Sequence, residues 1–351
     1  MSRADRIRLA FCGLHPDRAA RLVHDFGSAG AVLAAIAAGR VQVPDEARRV
    51  AAERGAATCL RHLQRLGVKA LFRGGPGYLV HLGDLPGAPD VLLARGVVPA
   101  AGGVAIVGTR QCTRYGLELA RAYGQACARS GWPVISGLAR GVDAEAHRGV
   151  LDAGGVGVAV QGCGPDRVYP AEHRRLHDAL LAAGGAVVTE YPPGTPPEGW
   201  RFPPRNRIIS GLAAAVVVVE AAETGGALIT AAAALEHGRP VLAAPGDVDR
   251  PSSRGCNLLI RDGAVPVLDP EDLVEALSLI LGNPGARSKS VRAAADPESG
   301  ALLAAIPVGG TTLEELAAAV SMPAPLALAA LSRLEVAGLV RRRGGVVFAD
   351  R

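Results

Sequence analysis

Apolar residues near the amino terminus recur at helical spacing. Leu9, Leu14, Ala19, Leu22, Val23 and Phe26 form one set, and Val32, Leu33 and Ile36 a second. Gly27-Ser28 and Gly39 punctuate them, so residues 1–66 read as a helical domain. A stretch rich in Gly and Pro, residues 68–99, reads as a short bridge to the central region. From about residue 104 the pattern changes. Short apolar runs at 104–107, 133–135, 156–160, 186–189, 215–219, 241–244 and 265–268 end in Gly, Ser or Glu and predict strands. Helical patterns at 115–128, 144–153, 171–182, 205–212, 227–236 and 270–281 lie between them. Strands built almost wholly of Val, Ala and Ile need cover on both faces, which predicts a mostly parallel sheet within an α/β core over residues 67–282. Residues 283–299 are a polar linker carrying Arg287, Lys289 and Arg292. Residues 300–351 read as a small winged helix, with a capped helix from Thr312, a turn at Met322-Pro323, a second helix at 326–337 and two strands joined at Gly344-Gly345.

The chain has 351 residues, of which 49% are hydrophobic, enough to bury a large core. Its net charge of +5 permits a polyanionic partner but does not demand one. The six cysteines, at 12, 59, 112, 127, 163 and 256, form no C-x-x-C pair and no metal-ligand spacing. No metal or cofactor is expected from them, and scattered thiols fit a reducing compartment. The start is charged, and the longest apolar stretch, 212–219, is of strand length, so no membrane span is expected and a cytoplasmic location is.

In a doubly wound sheet, ligands sit at the carboxyl ends of the strands. The first strand runs into Gly108-Thr109-Arg110 and a helix starting near Thr113, where free backbone N–H groups and a guanidinium make an anion cradle. The second runs into Ser136-Gly137-Leu138-Ala139-Arg140-Gly141, the third into Gly162-Cys163-Gly164 and then Tyr169-Pro170. The fourth leads to Arg205-Asn206-Arg207, the fifth to Thr224-Gly225-Gly226. A glycine or arginine after a single strand is commonplace. Several loops on one edge carrying Gly, a hydroxyl and Arg together point Arg110, Arg140, Arg205 and Arg207 at one polyanion. Neither G-x-G-x-x-G nor a P-loop nor a G-x-S-x-G elbow is present, and no acid/base pair stands out among Glu190, Glu220 and Glu223. Asp143 reads as a helix N-cap. No catalytic constellation emerges, and the chain is not read as an enzyme.

The runs Val104-Ala-Ile-Val-Gly-Thr-Arg110, Ser136-Gly-Leu-Ala-Arg-Gly-Val-Asp-Ala-Glu-Ala-His147 and Phe202-Pro-Pro-Arg-Asn-Arg-Ile-Ile-Ser-Gly211 closely resemble the DNA-processing protein A (DprA/Smf) family. So do Gly225-Gly-Ala-Leu-Ile-Thr-Ala231, Pro245-Gly246 and Ser253-Arg-Gly-Cys-Asn-Leu-Leu-Ile-Arg-Asp-Gly-Ala264. The resemblance implies an extended Rossmann-like fold that binds single-stranded DNA in a basic pocket. It further implies a homodimer that protects incoming DNA in natural transformation and loads the RecA recombinase. By motif it assigns DNA contact to Gly108, Thr109, Arg110, Ser136, Gly137, Arg140, Gly141, Tyr169, Pro170, Arg205, Asn206 and Arg207. Many members carry a basic residue just after the Tyr-Pro step. Here the sequence reads Ala171-Glu172-His173, leaving Arg174 or Arg175 to supply charge. The amino-terminal helices resemble the family's helix-hairpin-helix module with Gly13-Leu14-His15 at the hairpin, for which packing is the expected role. In the wing, Arg341-Arg342-Arg343 is a candidate phosphate contact, and a solvated surface is an equal reading.

Aromatic residues make up only 3% of the chain, so Tyr169, Trp200 and Phe202 are the candidate stacking platforms. Two rival readings are a Rossmann-type nucleotide phosphoribohydrolase and a winged-helix regulator of duplex DNA. The first expects P-G-G-x-G-T-x-x-E, whereas residues here run Glu223-Thr-Gly-Gly-Ala-Leu-Ile-Thr230. The second needs polar base readers, and 326–337 is mostly Ala and Leu.

Overall fold

The computed structural model describes residues 2–282, 297–307, 310–336, 339–343 and 345–349. These form two compact units, Met1–Leu277 and Ser278–Arg351. The first begins with five helices: α1 (Arg3–Phe11), α2 (Pro16–Phe26), α3 (Ala29–Ala37), α4 (Asp45–Glu53) and α5 (Ala56–Arg65). Their apolar faces meet in a core around Ile7, Val32, Ile36, Cys59 and Leu63. Ser28 caps α3 by accepting from the Ala31 N–H at 3.2 Å.

The expected bridge at 68–99 is structured. It holds strand β1 (Lys69–Phe72), the short helix α6 (Val80–Gly83) and strand β2 (Val91–Gly96). β1 and β2 pair antiparallel, and β2 pairs antiparallel with β6 through Leu93 opposite Thr189. Alternation explains β2's unbroken apolar run. Val91 and Leu93 enter the helical core, while Leu92 and Ala94 enter the sheet core. The strand joins two hydrophobic layers, so neither face shows a polar residue. Its pairing partner lies some ninety positions away, which is why a Gly- and Pro-rich local context reads as a linker.

The sheet continues with β3 (Gly103–Val107), β4 (Val134–Ser136), β5 (Gly157–Val160), β6 (Ala186–Thr189), β7 (Ala213–Val218), β8 (Val241–Ala243) and β9 (Val265–Pro266). Strand order is β1-β2-β6-β5-β4-β3-β7-β8-β9. From β3 to β9 all pairs are parallel, as the α/β pattern predicts. The chain winds from β3 outward through β6, crosses back to β7, and then winds the other way. The topological switch point therefore lies between β3 and β7. Helices α7 (Arg114–Arg129), α8 (Val142–Asp152), α9 (Arg174–Ala182), α10 (Phe202–Leu212), α11 (Gly226–Glu236), α12 (Arg254–Arg261) and α13 (Pro270–Leu281) complete the layers.

Three helices differ from the pattern. Residues 171–173 form a separate 3-10 turn before α9. α10 starts three residues early because Pro203 and Pro204 occupy its first turn, where a missing N–H costs nothing. α12 was hidden by its glycine and polar residues. It packs through Cys256, and Asn257 Nδ2 donates to the Gly246 carbonyl at 2.9 Å.

In the second unit, α14 (Pro297–Ala305), α15 (Leu313–Ala319) and α16 (Ala324–Val336) pack with β10 (Thr311–Thr312), β11 (Val340–Arg343) and β12 (Val346–Ala349). The strands order as β10-β12-β11, the winged-helix arrangement. Thr312 caps α15 as expected, with Glu315 Oε2 accepting from the Thr312 N–H at 3.1 Å. Of the expected linker over 283–299, residues 283–296 lie outside the described residues, as do Gly338 and Gly344, whereas residues 297–299 open α14 instead of continuing a linker. Among those described, no single helix is long and apolar enough to cross a bilayer.

α7 and α8 touch backbone to backbone. A Cβ on Gly149 would stand 2.1 Å from the Arg121 carbonyl oxygen, and one on Gly124 2.3 Å from that of Ala146. Gly→Ala inside a helix ordinarily stabilises it by about 0.5–1 kcal/mol. Here the steric conflict is larger, so Gly149→Ala lowers the unfolding free energy by about 2 kcal/mol in urea denaturation.

Candidate nucleic-acid interface

Parallel strands deliver every following loop to one edge of the sheet. That edge also collects the amino termini of the helices, with their outward N–H groups. At the switch point it opens into a cavity of about 640 Å³. Gly108, Thr109, Arg110, Tyr169, Arg205 and Asn206 line it, joined by Phe202 and by Thr224-Gly225-Gly226. A small adjoining hollow adds Gly137, Arg140 and Pro170.

Arg205 is the anchor. Its side chain enters from α10 and is 3% exposed. Nη1 donates to the Gly137 carbonyl at 2.7 Å and to the Val160 carbonyl, and Nε donates to Asn206 Oδ1 at 3.3 Å. The guanidinium thus joins the carboxyl ends of β4 and β5 to α10. Asp143 provides the counter-charge. Instead of capping α8, its carboxylate accepts from the Gly137 N–H at 3.1 Å and the Ala139 N–H at 3.4 Å. Burial pushes the Asp143 carboxyl up and Arg205 down to about 10, and each charge opposes the other's shift. Gly137 lies between them. A Cβ there would fall 2.7 Å from both the guanidinium and the carboxylate, so only glycine fits.

Above this pair sits a stack. The Arg110 guanidinium lies 5.1 Å from the centroid of the Phe202 ring, and Arg205 lies 5.7 Å from it. The Tyr169 ring is 5.4 Å from Phe202 at 31°. Arg110 is exposed, and no carboxylate among the described residues pairs with it. The Tyr169-Pro170 peptide is cis.

The anion cradle expected at the start of α7 is already filled. Glu220, at the end of β7, accepts from the Thr113 N–H and the Thr113 hydroxyl, both at 3.0 Å, and Thr113 Oγ1 accepts from the Gly116 N–H. A helix start lining the cavity without a side-chain cap is that of α11, where Gly225 precedes Gly226. Asn206 Nδ2 holds the Gly226 carbonyl at 3.1 Å, which orients this start toward the cavity.

Arg140 stands at the rim and is already engaged. Its Nε and Nη2 donate to the two carboxylate oxygens of Glu172 at 2.6 and 3.0 Å. The guanidinium holds the Glu172 carboxyl below its ordinary range. Arg167 and Arg174 flank this pair around an open concavity. The remaining predicted residues lie elsewhere. Ser136 is fully buried, its hydroxyl donating to the Ile106 carbonyl at 2.7 Å and locking β4 to β3. Gly141, half-buried, packs closely against the Thr109 carbonyl. Arg207 faces away from the cavity and pairs with Glu190 at 2.6 Å. Trp200 stacks on His15 at 5.1 Å, fastening the amino-terminal hairpin to the core. Arg342 pairs with Glu335 within the winged unit. Sequence reasoning passed over Asp143 as a simple cap and Glu172 as a missing charge, since both act through residues far along the chain.

Comparison with known proteins agrees with this architecture. A family model described as DNA recombination-mediator protein A matches residues 69–278, and one for the DprA winged helix domain matches 286–346. The chain is 40% identical over 268 residues to a putative DNA processing protein DprA of Mycobacterium tuberculosis, covering 74% of this chain and 68% of that one. It is 40% identical over 204 residues to protein Smf of Escherichia coli, a match spanning 58% of this chain and only 54% of the relative. The fold superposes on DNA processing protein A of Streptococcus pneumoniae with a TM-score of 0.61 at 29% identity, over 78% of this chain and 98% of that one. It also superposes on the Helicobacter pylori protein, described for its single-stranded DNA binding mode, with a TM-score of 0.53 at 22% identity over 60% and 95%. With its parallel core and its winged helix both matched, the chain belongs to the DNA recombination-mediator protein A family.

Proposed function

We propose that this protein binds single-stranded DNA along the carboxyl edge of its sheet, without catalysing a reaction on it. The observation that carries the reading is Arg110, an exposed guanidinium with no carboxylate partner among the described residues, 5.1 Å from the centroid of the Phe202 ring and beside the buried charge of Arg205. A phosphate meets Arg110 and the open start of α11, while a base lies against Tyr169 or Phe202. Such contacts recognise backbone and π-faces, so binding is salt-dependent and largely blind to sequence. The Helicobacter pylori relative, described for binding single strands, supports the assignment. By family resemblance the bound strand is incoming DNA in natural transformation, protected by a cytoplasmic homodimer that passes it to the RecA recombinase.

The carboxylates at this edge have structural employment. Glu220 caps α7, Asp143 holds the Gly137 loop, and Glu223 pairs with Arg254 at 2.9 Å. This disfavours the phosphoribohydrolase reading. In α16, Arg333 pairs with Glu298 at 2.9 Å, and the exposed Leu326 and Leu328 are no base readers, which disfavours the duplex regulator.

Fluorescence anisotropy of labelled oligo-dT tests the proposal directly. Arg110→Ala weakens binding about tenfold and lowers the slope of log K against log salt by about 0.7, the loss of one phosphate contact. Equal affinity for the matching duplex, or an unchanged salt slope, refutes the site. Glu172→Gln acts in the opposite sense. Releasing Arg140 and removing a carboxylate from the rim tightens oligo-dT about threefold at low salt, an effect that fades as salt rises. A weaker complex from this variant means that Glu172 orders Arg140 for binding.

A further inference from the structure

A second cavity, about 420 Å³, lies between the amino-terminal helices and the core and shares no lining residue with the DNA groove. Its walls are mostly apolar, including Leu9, Leu14, Val23 and Tyr191. α2 forms one side. Alone among the five amino-terminal helices it has no buried residue, because its apolar face looks onto this space as well as onto the bundle.

Of the charged residues on its walls, which also include Arg6, Asp17, Arg73 and Asp90, Arg207 and Glu190 are the ones with buried polar atoms left unpartnered among the described residues. They pair at 2.6 Å, with side chains 17% and 8% exposed. Glu190 Oε1 and Arg207 Nε and Nη1 are buried with no hydrogen-bond partner among the described residues. Unsatisfied buried groups of this kind are costly, and charged ones most of all. An ion pair that retains two donors and one acceptor beside an apolar cavity is therefore set for a ligand that supplies the complement.

The charges fix its chemistry. Arg207 is balanced by Glu190 and Arg6 by Asp90 at 2.8 Å, and Arg73 and Asp17 on the same walls offset each other in sign, so no net charge calls for an ion. A carboxylate ligand is repelled by Glu190, an ammonium by Arg207. What fits is a neutral, flat body with a hydrogen-bond acceptor beside a donor on one edge. The acceptor takes an Arg207 N–H, and the donor faces Glu190 Oε1 after a small rotation of the side chains. We infer that this cavity binds a nucleobase through its pairing edge, with the ring held among the apolar side chains of α1, α2 and Tyr191. The base belongs either to a free nucleoside or to a strand, and its recognition here is independent of the DNA groove.

Thymidine is the probe, titrated into the full-length protein by calorimetry and saturation-transfer NMR. The expected result is saturable binding that falls at least about tenfold in two variants. Glu190→Met/Arg207→Met replaces both charges with apolar groups of similar length, an exchange that folded cores tolerate. Ala20→Phe fills the cavity from α2, and circular dichroism confirms that each variant is folded. If oligo-dT affinity also falls in both, the bound base belongs to a strand. If it holds while thymidine is lost, the ligand is a free nucleoside. No saturable thymidine binding by the wild type, or equal affinity in both variants, overturns the inference. Because Arg110→Ala leaves this cavity intact, loss of the DNA groove and loss of this site are read separately.

Discussion

The edge of this sheet is organised around a cation that water barely reaches. Arg205 satisfies carbonyls at the ends of two strands, and its charge is tolerable only because Asp143 is buried with it. Removing either partner leaves the other uncompensated in a poorly polarisable interior, a far greater loss than that of an exposed pair. The requirement spreads outward. Gly137 must lack a side chain to fit between them, the Ser136 loop must follow β4 at that height, and α10 must begin where its fourth residue reaches β5. The loops that meet the cavity are thus fixed to one another by a charge that itself stays beneath the surface.

Arginines on this edge divide by environment more than by position in a motif. Arg205 builds the floor, Arg110 lies open on Phe202, Arg140 is held by Glu172, and Arg207 belongs to another cavity. Four guanidiniums that look equivalent along the chain therefore differ in what they can offer a phosphate. The exposed Arg140–Glu172 pair sits in high dielectric, where an incoming phosphate competes with a carboxylate on nearly equal terms. The rim can therefore exchange one anion for another without disturbing the floor.

The amino-terminal helices are integrated with the core by the two-faced strand β2 and by the stacking of His15 on Trp200. This uses one of the few aromatic side chains for attachment and leaves Tyr169 and Phe202 for the groove. The same junction is imperfectly filled along α2, which produces the second cavity.

The sequence by itself determined the layered α/β architecture. Runs such as Val104 to Val107 and Ala186 to Thr189 carry their period and their boundaries locally, and the capping box at Thr312 lies within four residues. It also determined that glycine-, hydroxyl- and arginine-bearing loops meet at one edge, because parallel strands deliver their loops together. Only the tertiary structure decided which way each side chain faces. Residues 68–99 hold two strands because β2, which pairs with β1, is held in turn by the distant β6 and by the helical core. Glu220 closed the start of α7 from more than a hundred residues away. Arg205 and Arg207, two positions apart on one helix, project toward different cavities because successive helical residues are turned by about 100°. Local pattern fixes the period of an element, whereas burial, pairing and charge compensation depend on which distant residues pack against it.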